Sequence, residues 1–400
     1  MGPALAKPAV WPRVAAAAAM LAPYLIALWF GAWSLRGLDS GTPVDTDAAR
    51  HAMNGVFVHD LVRHGDPVHL MAFAKSYYSR YPSLSMPYHP PLFPVFEALF
   101  LFVLGVNYLA ARLSVAAATA FAAWLLYRLI LKTHGSHAVA AAATVLFFAL
   151  PSTLVLASDV MLEMPTLVLV LAALSALPRP GEHWSWRRGW AFALAATAAV
   201  WTKQNAVFLG VVPFAWVALS GRWRVLKSAA LWIPAFVFGV FVLLLASLAA
   251  MFGVAGNGKW PPFEPLPILS HNVPYYFDVM RQEFGIGGLV LILAAVVAAL
   301  LDAWRGRSHA NTPYLAWAAC VFAVAFLMPP YDYRYVFFGY AALAVVVCSV
   351  AFEAAKRILS ARRAWMVPAA LAALWFATHI TTRPGFLYGP AEAARLMAPV

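Results

Sequence analysis

The residues placed to do chemistry in this sequence are few. They are Asp45 and Asp47 in Val44-Asp45-Thr46-Asp47-Ala48, His89 ahead of Pro90-Pro91, the pair Asp159 and Glu163, Lys203 within Thr202-Lys203-Gln204-Asn205, and Arg334. Thr46 can cap a helix that starts at Asp47. The positive end of such a helix favours an ionised carboxylate in its first turn. An ionised, positioned Asp is what a general base requires, although Asp45 and Asp47 serve equally well to cap and solvate a helix start. His89 can relay a proton or meet an anion; beside tyrosines it can also be structural. Asp159 and Glu163 are four residues apart, a spacing that puts both on one face of a helix. A carboxylate inside an apolar segment costs about 2.5–3.5 kcal/mol, so Glu163 in particular asks for a purpose. The two acids together suggest a divalent metal, but no third ligand stands nearby. Lys203 can direct its ammonium at a phosphate or snorkel to an interface. Arg334 can grip a phosphate with two parallel hydrogen bonds, or pair with Asp332.

The elements that must position these residues are set by composition. Of 400 residues, 63% are hydrophobic and 11% charged, whereas soluble domains carry about 25% charged residues. A chain this apolar cannot cover an aqueous surface, so its solvent is lipid and the expected fold is an all-α polytopic membrane domain. Spans need about 20 apolar residues. About eleven runs approach that length: 14–35, 108–131, 138–156, 160–177, 189–202, 205–219, 229–251, 287–304, 313–328, 335–352 and 364–380. The first is long enough to be retained as a span rather than removed as a signal peptide. The fifth and sixth are short and meet at Lys203. The net charge of +12 comes from Lys and Arg scattered between apolar runs, with no patch or stripe for a nucleic acid. Cys320 and Cys348 both lie in apolar runs and read as small core residues.

One run, Pro90–Leu104, decides the topology. It is apolar but contains Glu97 and three prolines. If it does not span, the basic loops all fall on the side of the N-terminus. Those loops carry Lys7 and Arg13; Lys132; Arg179, Arg187 and Arg188; Arg222, Arg224 and Lys227; Arg305 and Arg307; and Lys356, Arg357, Arg362 and Arg363. The opposite short loops carry only Lys203 and Arg334. That is the positive-inside pattern. Pro90–Leu104 is therefore expected to lie in the interface or half-buried, with a cytoplasmic N-terminus. Three stretches then face outward: a first loop over 36–107 with two interfacial helices, a second over 253–286, and the tail 381–400.

In the first loop, Met53, Val56, Phe57 and Leu61 recur at helical spacing and predict one apolar stripe. In the second, Val273, Tyr276, Phe277, Met280 and Phe284 predict another, with Asp278, Arg281 and Glu283 on its wet face. Ser158 is expected to cap the helix carrying Asp159. No zinc-protease, CxxC, phosphate-loop, GxSxG or dinucleotide fingerprint is present. No internal repeat is evident, which disfavours an inverted-repeat transporter.

The order of these features resembles the GT-C class of membrane glycosyltransferases. Within it the chain looks like the branch of the protein O-mannosyltransferases, the aminoarabinose transferase acting on lipid A, and the rhizobial lipopolysaccharide sugar transferases. The resemblance runs over roughly residues 14–355. It is carried by the acidic motif Val44-Asp45-Thr46-Asp47-Ala48, Tyr88-His89-Pro90-Pro91-Leu92, Ala111-Arg112-Leu113, Glu163-Met164-Pro165, Thr202-Lys203 and Arg334-Tyr335. It implies transfer of a sugar from a polyprenyl-phosphate carrier, on the outer face of a bacterial plasma membrane, to an envelope glycan, lipid or protein. It implies Asp47 as the base, with Asp45 as the alternative match. Lys203 and Arg334 fall on the carrier phosphate, and His89 stands where many relatives have Lys. A transporter or lipid flippase is the competing expectation; it calls for charges near mid-membrane, whereas here they fall at the outer rim.

Overall fold

The computed structural model describes residues 10–36, 46–65, 68–82, 84–86, 88–179, 181–251, 264–328, 332–360 and 363–379, without the side chains of 10–17 and 46. Asp45, the cap expected of the Thr46 side chain, the start of the second loop and the tail 381–400 lie outside the described residues. Among those described there are fifteen α-helices and no strand.

Among the described residues, four helices are long and apolar enough to cross a membrane: α5 (Tyr108–His134), α11 (Ala229–Met251), α12 (Pro265–Trp304) and α14 (Phe337–Ile358). Shorter apolar helices complete the bundle: α1 (Val10–Trp33, apolar over Ala18–Trp33), α4 (Leu92–Leu104), α8 (Glu163–Ser175), α10 (Val212–Ser220), α13 (Thr312–Leu327) and α15 (Met366–His379). Around them lie α2 (Thr46–His64), α3 (Leu70–Arg80), α6 (His137–Phe148), α7 (Pro151–Ala157) and α9 (Trp186–Val200).

The core forms where small residues let backbones approach. Helix α5 reads Ala-Ala-Ala-Thr-Ala through its middle, and Gly31 of α1 sits directly against Ala120. Without a hydrophobic driving force in lipid, such close packing is what holds helices together. Helices α5 and α14 are central, and every residue of α14 from Phe337 to Ser349 is buried. Helices α11 and the second half of α12 are peripheral, showing Leu243 and Leu293 outward. Lipid accepts these side chains, and each helix satisfies its own backbone.

Several expectations change. The run 138–156 is not one straight span. It breaks at Leu150-Pro151 into α6 and α7, bent by 72°, because proline starts a helix but cannot continue one. Glu283, expected on a wet face, instead accepts hydrogen bonds from Ser152 N (3.1 Å) and Oγ (2.8 Å) at the start of α7. Ser158 does not start a helix; it closes α7, its hydroxyl donating to Val155 O. The second-loop stripe is divided: Tyr276 and Phe284 are buried, while Val273 and Phe277 are exposed. That helix and the following span form one element, α12, kinked at Gly285, whose φ of 66° suits only a residue without Cβ. The first loop contains α2, α4 and a further helix, α3. No residue of α3 is buried; it leans on α2 through Phe73 and Tyr77 against Phe57. At 1.5 Å per residue the 13-residue α4 reaches only about 20 Å, short of a bilayer core of about 30 Å.

Candidate functional site

Arg334 lies in a 3₁₀ turn, Tyr333–Tyr335, between α13 and α14. Asp332 caps that turn, its Oδ1 accepting from Arg334 N at 2.9 Å. The same carboxylate receives Arg334 Nε (2.8 Å) and Nη2 (2.6 Å) on Oδ2. The remaining arm of the guanidinium, Nη1, reaches Asp47 Oδ2 at 2.9 Å. Asp47 stands in the first turn of α2, and its Oδ1 lies 3.4 Å from Arg50 Nη1. Arg334 and Asp47 are 18% and 22% exposed, so the pair is open to the site but shielded from bulk water. Burial pushes the Asp332 carboxyl up, but the Arg334 hydrogen bonds outweigh it and hold it below the usual range. For Arg334, burial is likewise overcome by Asp332, Glu163 and Asp47, and the guanidinium is held more firmly charged.

Lys203 occupies an extended position between α9 and a 3₁₀ helix, Gln204–Gly210. Its Nζ meets Glu163 Oε1 at 2.5 Å, with Glu163 wholly buried at the start of α8. The Pro-Pro loop is tied to the same turn. Gln204 donates its amide to Tyr88 O, and Leu92 N donates to Trp201 O at 3.1 Å. This brings His89 against His51 of α2, with ring centroids 4.6 Å apart and planes at 86°. Both imidazoles are held neutral. Burial is the larger cause and the Lys203 charge contributes; His89 is lowered to about 4.

Of the residues singled out in the sequence, the structure therefore gathers Asp47, His89, Glu163, Lys203 and Arg334 into one electrostatically linked group, from five separate segments of chain. Asp159 takes a different place. It precedes α8 rather than joining it, so the spacing of four from Glu163 does not share a helical face. Its Oδ1 accepts from Tyr108 OH (2.7 Å) and Val160 N (2.8 Å). No three His, Cys, Asp or Glu converge in a metal-binding group among the described residues. His51, Asp332 and Arg50 join the group although the sequence did not single them out as site residues. His51 carried a usable signal, since it lies one turn beyond Asp47 and so on its face of α2. The apolar stripe expected on α2 pointed elsewhere: the buried face carries Ala48, His51, Asn54 and His59 along with Phe57.

Beside this group lies an apolar groove of about 730 Å³, lined by Leu92, Phe96 and Leu99 of α4, Phe121 of α5, and Val168 and Leu169 of α8. Pro165 and Thr202 also line it, and Thr202 is the chain neighbour of Lys203. Arg112, in one of the motifs that carry the resemblance, is buried and ties α5 to the end of α1, donating to Ser34 O (2.5 Å) and Arg36 O (2.9 Å).

Residues 88–249 match the family of dolichyl-phosphate-mannose-protein mannosyltransferases. No curated protein matches the chain. Among solved structures it resembles ArnT from Cupriavidus metallidurans in the apo state, with a TM-score of 0.59 and 20% identity over 92% of this chain and 63% of that one. It also resembles ArnT from the same organism bound to undecaprenyl phosphate, with a TM-score of 0.55 and 17% identity over 92% of this chain and 70% of that one. The chain thus spans less than two thirds of the first ArnT chain. By its family match and its architecture, this chain has the fold of the GT-C class of membrane glycosyltransferases.

Proposed function

We propose that the protein transfers a sugar from a polyprenyl-phosphate carrier to an acceptor at the outer face of a bacterial plasma membrane. The observation that carries this reading is the gathering of Asp47, Glu163, Lys203 and Arg334 into one charged group in a protein that also holds an apolar groove. Lys203 and Arg334 supply the cations, and the groove lined by Thr202, next in sequence to Lys203, suits a hydrocarbon chain. A lipid phosphate needs both at once: cations for its head and an apolar track for its tail. The likeness to ArnT bound to undecaprenyl phosphate supports the same chemistry.

In this reading Lys203 and Arg334 bear the phosphate. Their fixed charges favour the leaving group as it gains negative charge, and charge held ready in this way is commonly what lowers a barrier most. Asp47 is the base that takes the acceptor hydroxyl proton. Its contact with Arg334 keeps base and phosphate ligand in one frame, so the acceptor oxygen and the leaving group are positioned together. Asp332 and Glu163 hold the two cations in place.

The test is transfer by the purified protein from polyprenyl-phosphate sugars to an envelope extract, followed by mass analysis. Asp47→Asn should abolish transfer while leaving membrane insertion intact; retained transfer would remove Asp47 as base. Reporter fusions at His134 and Lys259 should read cytoplasm and exterior respectively, and the reverse result would overturn the outer-face assignment.

A further inference from the structure

The innermost imidazole of the site has no part in the transfer step as proposed. His51 is 2% exposed and stands edge-on to His89. Nδ1 of each ring is buried without a hydrogen-bond partner among the described residues. The charged groups acting on the pair come from three directions. Arg50 and Asp47 belong to α2, Lys203 to the turn after α9, and Arg334 to the turn before α14. Three of those four are cations. The pair is therefore two neutral bases surrounded by positive charge, each with an unsatisfied nitrogen.

Sugar transfer generates what such a pair lacks. The donor is a phosphodiester with one negative charge. When the bond between the anomeric carbon and the phosphate oxygen breaks, the electron pair stays on the phosphate. The carrier becomes a monoester with a second ionisable oxygen, of pKa about 6. The acceptor O–H loses its proton as the new C–O bond forms. One negative charge and one proton thus appear together in a site screened from water.

We propose that the His51–His89 pair accepts that proton and, as an imidazolium, stays beside the phosphate monoester until the carrier leaves. This rests on the sugar-transfer reading. Asp47 is the first acceptor; passing the proton on returns it to its ion pair with Arg334. An imidazole among cations resists a proton until an anion arrives, and the dianionic monoester supplies that anion. The pair is then a positioning and proton-holding element, linking release of the carrier to loss of a proton.

The experiment uses the intact protein in nanodiscs with undecaprenyl phosphate as probe. Calorimetry at pH 8 in two buffers of different ionisation enthalpy counts protons taken up on binding. The wild type should take up about one proton, and its affinity should fall about tenfold per pH unit where uptake is complete. His89→Gln and His51→Gln should each bind the probe with proton uptake lost and a flatter pH profile. A merely structural role would change affinity and leave the proton count alone. Binding without uptake in the wild type, or unchanged uptake in both variants, would overturn the proposal. If His51→Gln fails to fold, His89→Gln decides it. Absence of saturable probe binding in the wild type would sink the carrier reading itself, and this proposal with it.

Discussion

Lys203 and Glu163 allow stability and function to be separated. Their ion pair is 2.5 Å long, Glu163 is fully buried, and Lys203 keeps 11% of its side chain exposed. Breaking a buried pair by removing one partner costs about 3–5 kcal/mol, because the survivor is an uncompensated charge. The two single variants should differ. In Lys203→Met the orphan is Glu163, which has no route to water and whose Oε2 already lacks a partner among the described residues, so the loss should lie at the upper end, about 5 kcal/mol. In Glu163→Gln the orphan is Lys203, which can lean toward the open site, so about 3 kcal/mol is expected. The double variant leaves no orphan charge, so its loss should fall below that of either single variant and far short of their sum. Thermal unfolding in detergent measures all four proteins, and sugar transfer is assayed on the same samples. Stability should return in the double variant while transfer does not, because the phosphate has lost its ammonium. Additive losses of stability would refute the pair as a coupled unit. Transfer restored with stability would refute Lys203 as a phosphate ligand.

Acid should weaken the fold. His51 and His89 are neutral when folded, with pKa values below the ordinary 6.5. Their stabilising contribution is complete above pH 6.5 and is lost as pH falls toward about 4, since the unfolded chain takes up protons first. For His89 this is on the order of 3 kcal/mol. Asp332, also lowered, acts in the same direction at still lower pH. A melting temperature that rises between pH 6.5 and 4.5 would contradict this. On the α2–α4 contact, Gly55 faces the Glu97 carboxyl, which is fully buried and has no partner among the described residues. A methyl group there overlaps Glu97, so Gly55→Ala should cost about 1–3 kcal/mol. Adding Glu97→Ala should recover part of that, and additive effects in thermal unfolding would show that the two do not touch.

The chemistry-bearing residue types were legible because lipid leaves little room for them. In a chain with 11% charged residues, a buried Glu163 or a Lys203 between apolar runs stands out, and its cost in an apolar medium argues for use. The apolar helices and the break between the interfacial and spanning parts of α12 were legible for the same reason, since helical periodicity and length are local properties. What contact geometry decided was not local. Asp47 and Arg334 are 287 residues apart, and only the packing of the bundle makes one the partner of the other. Asp159 and Glu163 looked like a unit from their spacing, but the bend after α7 sends Asp159 to Tyr108 and Glu163 to Lys203. His51 was visible in the sequence as one imidazole on a helix. Its meaning depends on His89 arriving from another segment, because a titratable group takes its properties from neighbours that only the tertiary fold supplies.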